Sequence, residues 1–161
     1  MKTTKEQADI DIHNNLVNNL QELLEKNVDA EKGFAKAMQD AKNANLKNFL
    51  KHQAAQHGRF VNELDQEIRN LNETPKEGGS VTGKLHRTWI DIKTALTGEN
   101  DEAVLEECIR GEKASLEEYE ERIKQNNFPP QVETILTNQL GEIRGTLSRV
   151  KTLEDIADSI N

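Results

Sequence analysis

"LQELLEKNVDAEKGFAKAM", residues 20–38, decides the fold. Leu20, Leu23, Leu24, Val28, Phe34 and Met38 recur at the spacing of one helix face, not at the alternation of a strand. Asn27 and Glu31 stand in the middle of that face, one turn apart. A helix with such a face must pack against others, and its two inward polar residues must find partners there.

Working outward, the stripe extends from Ile10 to Ala41, which predicts a helix over 10–41 preceded by a flexible segment, 1–9. After "DAKNAN" a second stripe runs Leu46, Phe49, Leu50, Phe60, Val61, Leu64, Ile68 and Leu71, predicting a helix over 44–72 that folds back on the first. "NETPKEGGS", residues 72–80, with Pro75, Gly78 and Gly79, is the clearest break in the chain. A shorter stripe through Leu85, Trp89, Ile92 and Leu96 predicts a helix over 81–97, capped by Ser80 or Thr82. Asn100 or Asp101 caps a helix over 101–125, and "NNFPP" ends it, with Pro130 suited to the first turn of a last helix over 130–157. Two long hairpins joined by a crossover with its own short helix read as an all-α, ferritin-like four-helix bundle, one domain over 10–158.

Composition agrees with that class. Of 161 residues, 34% are apolar, 4% aromatic and 31% charged, which suits an aliphatic core between amphipathic helices. The net charge of -8 comes without any basic block, so neither nucleic acid nor an anionic membrane is an expected partner. Cys108 is the only cysteine, which excludes an internal disulfide and a cysteine-based zinc site. No apolar run approaches membrane-spanning length and the first residues lack a signal-peptide core, so a cytoplasmic location is expected. A homodimer is compatible with this surface, and no other protein partner is indicated.

The polar residues inside the stripes carry the functional question. Gln53 and His57 interrupt the second helix between Phe49 and Phe60, again one turn apart. With the hairpin folding about residues 42–44, Glu31 comes level with Gln53 and Asn27 with His57. In the second hairpin Glu112 interrupts the line of Val104, Cys108, Ser115, Tyr119 and Ile123, and comes level with Gln139 and Ile143. A lone buried carboxylate costs several kcal/mol, so Glu31 and Glu112 each need a partner.

Two explanations compete for this layer. Either the carboxylates ligate a weakly held divalent metal (iron, manganese or zinc), or they bond to Gln53, His57, Gln139 or Ser115 and fix helix register with no cofactor. A di-metal bundle site needs a Glu from each of two helices and a Glu-x-x-His turn from each of the other two. Here Gln53 and Gln56 hold the Glu-x-x-His spacing without a carboxylate, His57 falls one place late, and Gln139 and Glu142 are followed by no histidine.

"DAEKGF" at 29–34, "LHRTWIDIKTALTGEND" at 85–101 and "LEECIRGE" at 105–112 with Tyr119 resemble a ferritin-like four-helix-bundle family of unknown function widespread in bacteria. The resemblance runs from about Leu16 to the end. It implies a fold distantly similar to rubrerythrins and bacterioferritins, an association with stress, and no established reaction. Its relatives are expected to offer a histidine near "GEIRGTLSRV", which this chain lacks.

Other residues read more simply. Trp89 and Tyr119 are expected in the core with satisfied polar tips, Cys108 as a small core residue, and His13, His52 and His86 at the surface. Asp29 and Gly33 lie opposite the stripe; Asp29 is either exposed or in contact with the crossover or a second subunit. No P-loop, dinucleotide fingerprint or Gly-x-Ser-x-Gly is present. The sequence thus favours a non-catalytic bundle, with a metal-binding oxidoreductase or metal-storage protein using Glu31 and Glu112 as the alternative.

Overall fold

A computed structural model of the protein describes residues 3–76 and 100–160. Among them the regular structure is all α-helix: α1 (Thr4–Asp40), α2 (Ala44–Asn70), α3 (Asp101–Gln125), α4 (Pro130–Arg149) and α5 (Leu153–Ile160). The helix expected over 81–97, with Trp89, His86 and its caps, lies outside the described residues. No helix among the described residues is long and apolar enough to cross a membrane.

The first helix starts well before residue 10. Thr3 Oγ1 accepts from the Glu6 amide at 3.1 Å while Glu6 Oε2 accepts from the Thr3 amide at 2.9 Å, a reciprocal capping box that satisfies two otherwise orphaned donors. Over residues 3–9 that corrects the expectation of a flexible segment at 1–9, whose first two residues lie outside the described ones. The last helix is corrected too, because it breaks after Arg149. Thr152 caps α5 by accepting from the Asp155 amide at 3.2 Å, and Asp155 accepts from the Lys151 and Thr152 amides. The break lets both Val150 and Ile156 bury, at 6% and 1% exposure.

Asn100 and Pro130 stand where they were expected to start helices, and Asn43 adds a cap that the sequence reading did not name. Asn43 caps α2 by accepting from the Leu46 amide, Asn100 caps α3, and Pro130 opens α4 where an amide donor would be orphaned anyway. Asp101 adds a tie between hairpins: its carboxylate accepts from the Lys42 and Asn43 amides at 2.9 and 2.8 Å, fastening the α1–α2 turn to the start of α3.

α1 and α2 run antiparallel, with His13 against Glu73 at one end and Asn27 against His57 in the middle. α1 and α3 are antiparallel too, since Asn15 meets Asn126, Asn19 meets Arg122 and Asn27 meets Tyr119. α3 and α4 pair with Tyr119 level with Gln139, not Glu112 with Gln139 as the sequence suggested. The turn at residues 126–129 lies where the sequence placed it, and helices levelled about it bring Tyr119, not Glu112, opposite Gln139.

The core falls into two apolar clusters. One gathers Ala30, Phe34, Ala37, Leu46, Leu50 and Leu105 near the α1–α2 turn; the other gathers Leu20, Phe60, Leu64, Ile68, Leu136 and Ile143 at the opposite end. Fully burying one such side chain is worth about 1.5–3 kcal/mol, so these clusters supply the main drive for assembly. Between them lies a layer of buried polar side chains. Asp29 and Gly33, placed opposite the stripe in sequence, are also buried, so the exposed reading of Asp29 does not hold.

Candidate functional site

The polar layer is built from side chains one or two turns apart on four helices. Asn27 Nδ2 donates to the Leu23 carbonyl one turn back at 2.8 Å and to Tyr119 Oη at 2.8 Å. Those two bonds fix the amide's orientation, so Oδ1 is the atom that faces His57 Nδ1 at 2.7 Å. An amide oxygen only accepts, and therefore Nδ1 carries a proton and donates it to Asn27.

The other imidazole nitrogen then meets Glu112. His57 Nε2 lies 2.8 Å from Oε1 and 3.0 Å from Oε2, with His57 fully buried and Glu112 at 2% exposure. One proton is shared across this contact, so the pair is either imidazolium with carboxylate or imidazole with carboxylic acid. Both forms are neutral overall, which is how a carboxylate is accommodated in the middle of α3 without a lone buried charge. Phe34 stacks on the imidazole at a centroid distance of 5.5 Å and Phe60 meets it edge-on at 5.4 Å, holding the ring in that orientation.

From Asn27 the bonds continue through the interior. Burial pushes the Tyr119 phenol well above its ordinary pKa, outweighing the Asn27 hydrogen bond that pulls it down. It stays protonated and donates to Gln139 Oε1 at 2.6 Å, and Gln139 Nε2 donates to Glu63 Oε1 at 3.0 Å. Every donor from His57 to Glu63 points the same way. The two amides in the series hold their protons, so the chain of bonds orients helices and does not conduct a proton.

Of the six side chains singled out in sequence, the structure brings together Asn27, His57, Glu112 and Gln139. Glu31 and Gln53 stand apart. Glu31 is half-buried over Gly58, where an added Cβ would come within 3.2 Å of its Oε1, and it makes no hydrogen bond to the described residues. Gln53 is buried, and its Oε1 finds no partner among the described residues. Glu63, which the sequence reading missed, ends the relay. No signal marked it, because it lies beside Leu64 and is partly exposed, paired with Arg59 at 3.4 Å.

Cys108 is buried in the same region. Desolvation, with the nearby Glu112 and Glu107 carboxylates, pushes its thiol far up, so it packs as a neutral side chain and is no nucleophile. Among the described residues, no three His, Cys, Asp or Glu side chains form a group that could hold a metal ion.

Comparison with curated proteins finds no match. Asn27, His57, Glu63, Glu112 and Tyr119 all fall within residues 15–125, the span that matches the profile described as a domain of unknown function, DUF2383, and the chain belongs to that family.

Proposed function

We propose that this chain is a non-catalytic, ferritin-like four-helix bundle in which a hydrogen-bonded relay takes the place of a di-metal centre and fixes the mutual register of the helices. The observation that carries this reading is that both Glu112 oxygens face His57 Nε2 while His57 Nδ1 is tied to Asn27. The atoms that would ligate a cation are already engaged with one another. Asn27 and Gln139 are likewise engaged, and Glu31 lies over Gly58 outside the relay. One histidine and one carboxylate do not supply the ligands or the negative charge that two divalent cations require.

The test is elemental analysis of protein expressed with added iron, manganese or zinc, run on the parent, Glu31→Ala and Glu112→Ala, together with thermal unfolding of all three. The expected result is no stoichiometric metal in any of them and a large loss of stability in Glu112→Ala alone. Near-stoichiometric metal in the parent that disappears in both variants would overturn this reading in favour of a metal site through Glu31 and Glu112, and would direct work to oxygen and peroxide chemistry.

A further inference from the structure

The apolar stripe of α1 is longer than the bundle that covers it. Ile12, Leu16 and Leu20 lie one turn apart along one line of the helix, yet their exposure falls from 66% to 8% to 0%. Among the described residues Ile12 is the one large apolar side chain left exposed. The side chains of residues 3–12 bond only within that stretch, through the capping box and between Gln7 and Asp11, and the first bond to another part of the chain is His13 with Glu73. The start of α1 is therefore an arm, and it carries three acids, Glu6, Asp9 and Asp11, against one base, Lys5.

The opposite sign gathers in a cleft between α3 and the end of α4. Its volume is about 430 Å³, and Glu106, Ile109, Arg110, Lys113, Leu147 and Lys151 line it. Ile109 and Leu147, both half-buried, give it an apolar floor, and three cations stand there against one acid in a chain whose net charge is -8. Arg110 is held by Glu107 at 2.6 Å, and Lys151 lies near the Asp155 carboxylate, which the Lys151 and Thr152 amides occupy. Lys113 and Lys151 form no ion pair with the described residues. Cations gathered with so little counter-charge repel one another, so the cleft favours an anionic guest with an apolar side.

The arm is such a guest, and even the exceptions match. Lys5 precedes Asp9 by one turn and Glu106 precedes Arg110 by one turn, so an arm lying parallel to α3 sets both pairs at opposite sign. It cannot reach the cleft of its own chain. α1 and α3 are antiparallel with Asn27 beside Tyr119, which places Arg110 level with the later turns of α1, roughly 30 Å along the bundle from Ile12 at 1.5 Å per residue. We propose that the arm, residues 3–12, docks in the α3–α4 cleft of a second copy of this chain, with Ile12 on the floor of Ile109 and Leu147 and with Asp9 and Asp11 toward Arg110, Lys113 and Lys151. The two surfaces that meet are different, so the contact is head-to-tail, and its repetition gives a ring or an open filament, not a two-fold dimer. This assembly does not depend on the polar layer between the core clusters.

Sedimentation velocity over a concentration series tests it on the full-length parent, on Ile12→Arg, on the double variant Lys113→Glu with Lys151→Glu, and on an equimolar mixture of the two variants. All three positions are exposed, so the fold should survive, and circular dichroism checks that it does. The parent is expected to grow in mass with concentration, and either variant to associate about tenfold more weakly or worse, the scale set by one buried isoleucine. The mixture should regain association, because one variant keeps its cleft and the other its arm. A parent that stays monomeric at every concentration would overturn the proposal, as would association that survives both sets of substitutions or a mixture that associates no better than its components. A monomeric parent in which dodecanoate shifts the nuclear magnetic resonance signals of Lys113 and Lys151 would overturn it in favour of a small amphipathic anion as the occupant of the cleft.

Discussion

Lys26 and Asn27 are neighbours on α1, and Glu118 and Tyr119 are neighbours on α3, yet the two contacts they make belong to different environments. Asn27 meets Tyr119 inside, at full burial; Lys26 meets Glu118 at the rim, where both side chains keep water. Arg122 extends the rim contact, donating to Glu118 at 2.7 Å, Asn19 at 2.8 Å and Glu22 at 2.6 Å. One helix crossing thus carries an interior set of mostly neutral hydrogen bonds and an outer set of ion pairs. The interior set can specify register, because each unmet donor or acceptor there is costly, while the rim set loses its attraction to solvent screening.

Removing an interior partner should give the largest effect. His57→Ala leaves Glu112 and Asn27 Oδ1 unpaired and removes a ring packed against Phe34 and Phe60, so a loss of about 3–5 kcal/mol is expected in urea unfolding. Glu112→Gln, whose amide N–H can donate to the Nε2 lone pair of a neutral imidazole, should cost clearly less. Equal losses in the two variants would mean that the shared proton alone, and not the packing of the ring, holds this site. Next in size is Tyr119→Phe, which keeps the ring in the core but strips Gln139 Oε1 of its donor; about 1–3 kcal/mol is expected. A loss no larger than experimental error there would show that the relay closes around a missing hydroxyl and does not specify register.

The same contrast explains what could be read from the sequence. Helical spacing exposed the interior, since Leu20, Phe60 and Leu136 recur with the turn of a helix, and the interruptions at Asn27, His57 and Glu112 are conspicuous against that background. Pairing along the first hairpin was legible because its turn is short: Asn27 does meet His57. In the second hairpin the turn at 126–129 falls where the sequence placed it, and the wrong partner for Gln139 arose in levelling two long helices about that turn. Glu31 shows a different limit. It belongs to the stripe by angle, but Gly58 opposite it leaves space that its side chain fills by lying across the α1–α2 contact. Which way a long side chain turns is set by the residue facing it. Capping signals were present and underused, as Thr3 with Glu6 and Thr152 with Asp155 both show.

The smallest effect belongs to the rim, and pH separates it from the interior. Burial alone would raise the Glu118 carboxyl, but the hydrogen bond and charge of Lys26, with Arg122, outweigh it and hold the folded pKa below the ordinary range. A carboxylate whose pKa is lower in the folded state stabilises the protein above its unfolded pKa of about 4.3, and that stability is lost as pH falls through the folded value. Glu118→Gln should therefore cost at most about 1 kcal/mol at neutral pH, after allowing for solvent screening. The difference from the parent should close as the solution is acidified below the ordinary carboxylate range, and should shrink at neutral pH in high salt. A difference that survives both acid and salt would place Glu118 with the interior set, acting through shape and not charge, and would erase the distinction between neighbours on the same helix.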